Sequence, residues 1–209
     1  MTLQLHIDSR HLSPYAMSAC VAAWEKSLPV ELVRVDLSAG EQNREAYAAS
    51  SLTQRVPMLV HDGFALTEST AIAEYLDECF PAVPIYPREP QARARVRQVQ
   101  AWLRSDLMPL RQERSTEVVF LGAAVAPLSA TAQEAARKLF HVAGSLLGDG
   151  EGNLVGQWTL ADADLAVMLQ RLVQGGDPVP ETLRRYALRQ WERSSVRRWC
   201  ELARSASLG

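Results

Sequence analysis

The chain has 209 residues, 47% hydrophobic and 22% charged, with a formal net charge of −2 at neutral pH; this is the composition of a globular protein long enough for one large or two small cores. So small a net charge excludes the basic footprint of a nucleic-acid or anionic-membrane binder. The longest uncharged stretch, residues 118–133, is broken by Gly122 and Pro127 and falls short of the about 20 apolar residues of a spanning helix. Cys20, Cys79 and Cys200 are odd in number and far apart, which suits neither a disulfide scaffold nor a metal site. Residues 1–12 lack the basic and apolar regions of a secretory leader. A reduced, cytoplasmic protein is expected.

Leu3, Leu5 and Ile7 alternate with Gln4 and His6 and predict a first strand. Ser13-Pro14 supplies an N-cap and a proline at the first helical position; Met17, Val21 and Trp24 follow at helical spacing until Leu28-Pro29 closes the segment. Residues 30–36 alternate again, imperfectly in phase, as a second strand. The apolar runs Met58-Leu59-Val60 and Phe64-Ala65-Leu66 flank His61-Asp62-Gly63, where the Asp-Gly pair marks a hairpin. From Ser69, the residues Ile72, Tyr75, Leu76 and Cys79 fall on one helical face. The order is β-α-β, a variable segment, then β-β-α.

Pro81, Pro84, Pro87 and Pro90 forbid a helix and stiffen a linker, so a domain boundary is placed at residues 81–90, between domains of residues 1–80 and 91–209. Beyond it the strand signal ends. Val96, Val99, Leu103, Leu107 and Leu110 recur at steps of three and four, an apolar seam on one long helix whose last turn Pro109 should bend or shorten. Thr131 with Glu134 predicts a capping box opening a helix through Leu147. Thr159 with Asp162 repeats that device before Leu165, Met168, Leu169 and Leu172. Pro180 starts a helix carrying Leu183, Tyr186, Ala187 and Trp191, and Val196, Trp199 and Leu202 suggest a short last one. The second half is all helix.

Three places could carry chemistry. Ser13-Pro14-Tyr15-Ala16 stands at the junction of the first strand and helix, where thioredoxin-like oxidoreductases place a Cys-x-x-Cys pair beside a helix N-terminus. Serine and alanine replace both cysteines here, so the chain cannot run dithiol exchange with its own sulfurs there, but a hydroxyl can donate to another molecule's thiolate. Val56-Pro57, before the hairpin, is a candidate cis bond that would leave Val56 N–H and C=O outside the sheet ladder. Glu68-Ser69 opens a helix: its free N–H groups receive a carboxylate and Glu68 accepts from an ammonium, together a grip for an α-amino acid end. Each has a structural reading as well: Ser13 as a cap worth about 1 kcal/mol, Pro57 as a strand-start proline, Glu68 as a solvated acid favoured by the dipole. His6, His11, His61 and His141 have no metal-ligand spacing; His11 lies in the loop beside Ser13 and is a candidate substrate contact. Asp106 reads as a helix-face ion-pair partner, and Arg93, Arg95, Arg97 and Arg104 as a solvated face.

In this order, Ser13-Pro14-Tyr15, Val56-Pro57 and Glu68-Ser69, with the proline-rich linker and the box at Thr159-Leu160-Ala161-Asp162, resemble the glutathione S-transferase superfamily over nearly the whole chain. The serine resembles that of serine-type, tau-like members, and residues 93–114 look closer still to the bacterial YfcF-type branch. The resemblance implies a thioredoxin-like α/β N-terminal domain with a mixed four-stranded βαβ-ββα sheet that binds glutathione, and an all-α C-terminal domain that forms the electrophile pocket. It implies that Ser13 hydrogen-bonds the glutathione sulfur, that Val56 pairs its backbone with the cysteinyl portion, that Glu68 and Ser69 hold the γ-glutamyl end, and that Arg55 or Gln42 meets the glycyl carboxylate. It further implies a pocket between the loop of His11 and the helical domain, near Trp102, Leu107 and Arg111. Glutathione is then a co-substrate, with no other cofactor and no metal, and the protein a homodimer that binds neither nucleic acid nor membrane. One departure concerns the helical capping box, whose usual staple pairs two large apolar residues; here Trp158 faces only Ala163. The expected activity is attack of a glutathione thiolate on a small electrophile. A glutathione-dependent peroxidase or disulfide reductase using the same thiolate stays open, as does a non-catalytic, transferase-like binding module such as the bacterial stringent-starvation regulators.

Overall fold

A computed structural model describes residues 2–148 and 151–207. The chain forms two compact units, one of Met1–Ile85 with Arg198–Gly209 and the other of Tyr86–Arg197. Residues 91–209 therefore do not all group together, because the chain returns to the first unit at its end.

In the first unit the strands are β1 (Leu3–Asp8), β2 (Glu31–Val35), β3 (Met58–His61) and β4 (Phe64–Thr67), with helices α1 (Pro14–Glu25), α2 (Glu45–Ala48) and α3 (Ser69–Cys79). The sheet order is β2-β1-β3-β4, parallel between β1 and β2 and antiparallel elsewhere. Leu3, Leu5 and Ile7 are buried as their alternation requires,. Asp62 and Gly63 both take positive φ, 46° and 88°, the twist a two-residue hairpin loop needs. α1 is buried on nearly every side because small residues such as Ala16, Ala19, Ala22 and Ala23 let it pack closely, α3 among its neighbours. Contrary to the periodic reading of α3, Cys79 is exposed and Tyr75 half-buried; the Tyr75 hydroxyl instead meets His61 Nδ1 at 2.8 Å.

The proline-rich stretch is clamped rather than loose at its start. Buried Lys26 donates to Asp77 at 3.0 Å and to the Val83 carbonyl at 2.6 Å, and Asp77 accepts the Ile85 N–H at 2.9 Å. Each charge thus has the partners that burial demands.

The second unit contains α4 (Pro90–Ser105), α5 (Met108–Glu113), α6 (Thr116–Leu121), α7 (Ala130–Leu147), α8 (Leu160–Gln174) and α9 (Glu181–Trp191); α10 (Ser194–Ser207) begins in it and ends in the first. Two expectations about where helices begin and end are corrected. The seam from Val96 to Leu110 is buried throughout, but on two helices: the chain breaks at extended Asp106 and left-handed Leu107 (φ 62°), and Pro109 sits in the first turn of α5 instead of bending the last turn of α4. The cap of α7 is Ser129, whose hydroxyl accepts the Ala132 N–H at 3.3 Å, while Thr131 lies inside the helix. The Thr159–Asp162 capping box is present and fully buried, and Asp162 also accepts from the Leu154 N–H and the Tyr186 hydroxyl. In place of an apolar staple, Trp158 donates to Gln190 at 3.1 Å and lies under the Arg193 guanidinium at 3.8 Å. Of the arginines read as a solvated face, Arg104 instead pairs with Asp164 at 3.1 Å and Arg93 lies over the Tyr86 ring.

Candidate active site

Sheet register gathers the candidate residues of the first unit. His6 on β1 pairs with Met58 on β3, and Met58 with Thr67 on β4, while Val35 ends β2 opposite Asp8. The loop to Ser13, the Val56-Pro57 turn, the start of α3 and the segment leading to Gln42 therefore all leave the same end of the sheet.

Ser13 is the half-buried N-cap of α1, extended at φ −73° and ψ 115°, and its Oγ accepts the Ala16 N–H at 3.2 Å. One lone pair is thereby used and the hydroxyl proton is left to donate. Pro14, which has no N–H, opens the helix, and the next turn is tied back to Ser13, the Met17 N–H donating to the Ser13 carbonyl at 3.0 Å,. Burial pushes the Cys20 thiol of α1 far up and the Cys200 thiol up to about 11, so neither is a nucleophile at neutral pH.

The loop before Ser13 is held by two residues that the sequence reading did not place in the site. Buried Asp8 accepts the Leu12 N–H at 2.6 Å and the Ser13 N–H at 3.1 Å, one on each carboxylate oxygen. Trp199 of α10, fully buried, meets the His11 ring edge-on with centroids 5.5 Å apart. His11 takes a left-handed φ of 55° and is only 1% exposed. This corrects the expectation that it would touch a substrate: the ring faces the protein interior. Burial lowers its pKa, against the Asp8 carboxylate that raises it. The only sequence signal for Asp8 was an acid ending a strand shortly before the serine, and for Trp199 a lone aromatic in the last helix.

The Val56-Pro57 bond is cis, and among the described residues Val56 N–H and C=O make no ladder or turn hydrogen bond. The Arg55 side chain is exposed, and its carbonyl accepts from the Tyr47 hydroxyl at 2.8 Å. Gln42 is half-buried in the single turn Glu41–Asn43, its side-chain oxygen enclosed without a partner among the described residues. Glu68, exposed, takes φ 72° and ψ 114° before α3, a conformation that costs a non-glycine residue about 1–3 kcal/mol and accumulates at functional sites. Its side chain caps nothing. Ser69 is buried at the first position of α3.

In the second unit, Trp102 lines a cavity of about 260 Å³ between α4 and α7, with Arg95, Gln98, Val99, Val142 and Leu146. Leu107 and Arg111 do not line it. Leu107 is buried in the helical core, and Arg111 donates to the Arg104 carbonyl at 3.0 Å. Asp106 pairs with Lys138 and accepts from the Trp102 indole at 2.9 Å and the Leu107 N–H at 2.7 Å. The Lys138 contact, with those two donors, lowers its carboxyl pKa to about 2. Among the described residues no three His, Cys, Asp or Glu side chains form a metal-binding group, and no helix is long and apolar enough to cross a membrane.

The chain is similar to known proteins over most of its length. Residues 9–78 match the family model "Glutathione S-transferase, N-terminal domain" and residues 89–206 the model "Glutathione S-transferase, C-terminal domain". Mouse glutathione S-transferase theta-1 is 33% identical over 189 residues, spanning 87% of this chain and 78% of that protein. Mouse maleylacetoacetate isomerase is 33% identical over 107 residues, about half of each chain. A crystal structure of a glutathione transferase homologue from Burkholderia, with bound glutathione, superposes with a TM-score of 0.80 at 41% identity and covers 98% of this chain and 100% of that one. The chain belongs to the glutathione S-transferase family.

Proposed function

We propose that this protein is a serine-type glutathione S-transferase that holds the glutathione thiol as a thiolate at Ser13 for attack on small electrophiles. The observation that carries this reading is the division of labour in the Ser13 hydroxyl, which accepts the Ala16 N–H and keeps its proton for a ligand. A thiol of pKa about 8.5 is a few per cent ionised at pH 7, and making it mostly thiolate requires a shift of about two units, or ~2.7 kcal/mol. A hydrogen bond to a charged group supplies ~1.5–3 kcal/mol and a helix N-terminus ~0.3–1 kcal/mol. Ser13 on α1 is sufficient in magnitude. The thiol proton leaves to solvent, and the sulfur lone pair forms the new bond to the electrophile as the leaving group departs.

The remaining contacts are proposed residue by residue. Val56, with both backbone groups outside the ladder, pairs with the cysteinyl portion; Glu68 accepts the γ-glutamyl ammonium and Ser69 with the start of α3 receives its carboxylate; Gln42 and Arg55 meet the glycyl carboxylate. Glutathione bound in the 41%-identical Burkholderia homologue supports the same ligand here. The test is retention on immobilised glutathione together with conjugation of chlorodinitrobenzene: a transferase shows both, and a chain that does neither is a transferase-like binding module. A homodimer is proposed as well, supported by the apolar groove at Val99, Trp102, Val142 and Leu146 and by Leu52, 93% exposed. Sedimentation equilibrium at micromolar concentration is expected to give twice the 23.1 kDa chain mass; a single species of that mass contradicts it.

A further inference from the structure

We propose that Asp8 is a positioning residue for the reaction, its buried carboxylate aiming the Ser13 hydroxyl by holding the Leu12 and Ser13 N–H groups; the proposal rests on the reading of Ser13 given above. The clamp is two-handed. Oδ2 takes the Leu12 N–H at 2.6 Å and Oδ1 the Ser13 N–H at 3.1 Å, while the Asp8 carbonyl accepts the His11 N–H at 3.0 Å. β1 and the residues before α1 are thus closed into one ring of hydrogen bonds. The Ser13 N–H precedes the helix and has no partner within it, and Leu12 is only 8% exposed, so a carboxylate that receives both removes the freedom of the residue carrying the hydroxyl. His11 fixes the loop's other flank through Trp199.

The charge itself works against a thiolate. The Asp8 carboxylate raises the pKa of both His11 and the Cys20 thiol, while the cations Arg34, beside His11, and Arg198, beside Cys20, act in the opposite direction. Electrostatics alone would favour a neutral residue at this position, near where a thiolate must form. An acid serves here for its geometry, since it offers two acceptor oxygens and no donor to oppose either N–H. The two roles predict opposite signs. If Asp8 acted only through its field, Asp8→Ala would lower the pKa of the bound glutathione thiol; if it acts by aiming Ser13, the pKa rises.

The experiment measures the pKa of the enzyme-bound glutathione thiol by ultraviolet thiolate absorbance, and glutathione affinity by calorimetry, in wild type, Asp8→Ala, Asp8→Asn, Ser13→Ala and the two double variants. Asp8→Ala is expected to raise the thiol pKa by about one unit, roughly tenfold less thiolate at neutral pH. Asp8→Asn, which keeps one acceptor oxygen, raises it by less and carries the test should Asp8→Ala fail to fold. Neither substitution raises it further when Ser13 is already alanine. A fall or no change in both Asp8 variants, with Ser13→Ala still raising the value, overturns the proposal and leaves the reading of Ser13 standing. So does an equal rise in both backgrounds. If Ser13→Ala itself leaves the pKa unchanged, the reading of Ser13 has failed and the proposal with it.

Discussion

Two substitutions at Ser13 separate its cap from its chemistry. The hydroxyl accepts the Ala16 N–H at 3.2 Å, and Ser13→Ala removes both that acceptor and the free proton. Losing an N-cap costs about 1 kcal/mol when the replacement is alanine but only a few tenths when it is glycine. On a chain of this length the alanine variant melts roughly 2–4 °C lower, and Ser13→Gly scarcely moves. Catalysis follows a different rule, because both variants lose the donor to the sulfur equally. A charge-assisted hydrogen bond of ~1.5–3 kcal/mol corresponds to a fall of roughly 10- to 150-fold in kcat/KM at neutral pH. The assay pairs thermal unfolding with conjugation of chlorodinitrobenzene at pH 7. Activity that tracks stability, with Ser13→Gly near wild type, would refute the reasoning and reduce Ser13 to a cap.

Two further predictions follow from the geometry around α3 and α4. Glu68→Ala and Ser69→Ala are expected to raise KM for glutathione by a loss of ~1.5–3 kcal/mol of binding with a smaller change in kcat, since both act remote from the sulfur; unchanged calorimetric affinity in both variants would contradict this. Asp106, held at a pKa of about 2 by Lys138, Leu107 and Trp102 against an ordinary 3.8, contributes stability that is present above about pH 4 and lost as the pH falls through about 2. The melting-temperature gap between wild type and Asp106→Asn should therefore close over that interval; a gap constant down to pH 2 counts against the pairing.

What was legible in the sequence was local. Ser13-Pro14 announced a cap, Asp62-Gly63 a hairpin, and Thr159 with Asp162 a capping box, because each signal lies within a few residues of its partner. The break between α4 and α5 was hidden because left-handed Leu107 lets the apolar seam continue onto the next helix, so the spacing of Val96 to Leu110 looks unbroken. Ser129 lost to Thr131 as a cap because either hydroxyl suits that role, and the Glu113 carboxylate that receives the Ser129 N–H at 2.8 Å is far away in sequence. The Asp8 clamp crosses a loop with no periodicity, and the Trp199–His11 contact joins the two ends of the chain. The positive φ of Glu68 leaves no mark on residue type at all.

The central claim, that Ser13 holds glutathione as a thiolate, is tested most directly by titrating the ultraviolet thiolate absorbance of glutathione bound to wild type and to Ser13→Ala at saturation. The wild-type value should lie about two units below the ~8.5 of a free thiol, and the Ser13→Ala value should return towards 8.5 with conjugation recovering as the pH is raised. Equal values in the two proteins would contradict the claim and move the role of donor to Tyr15 or to a backbone N–H of α1.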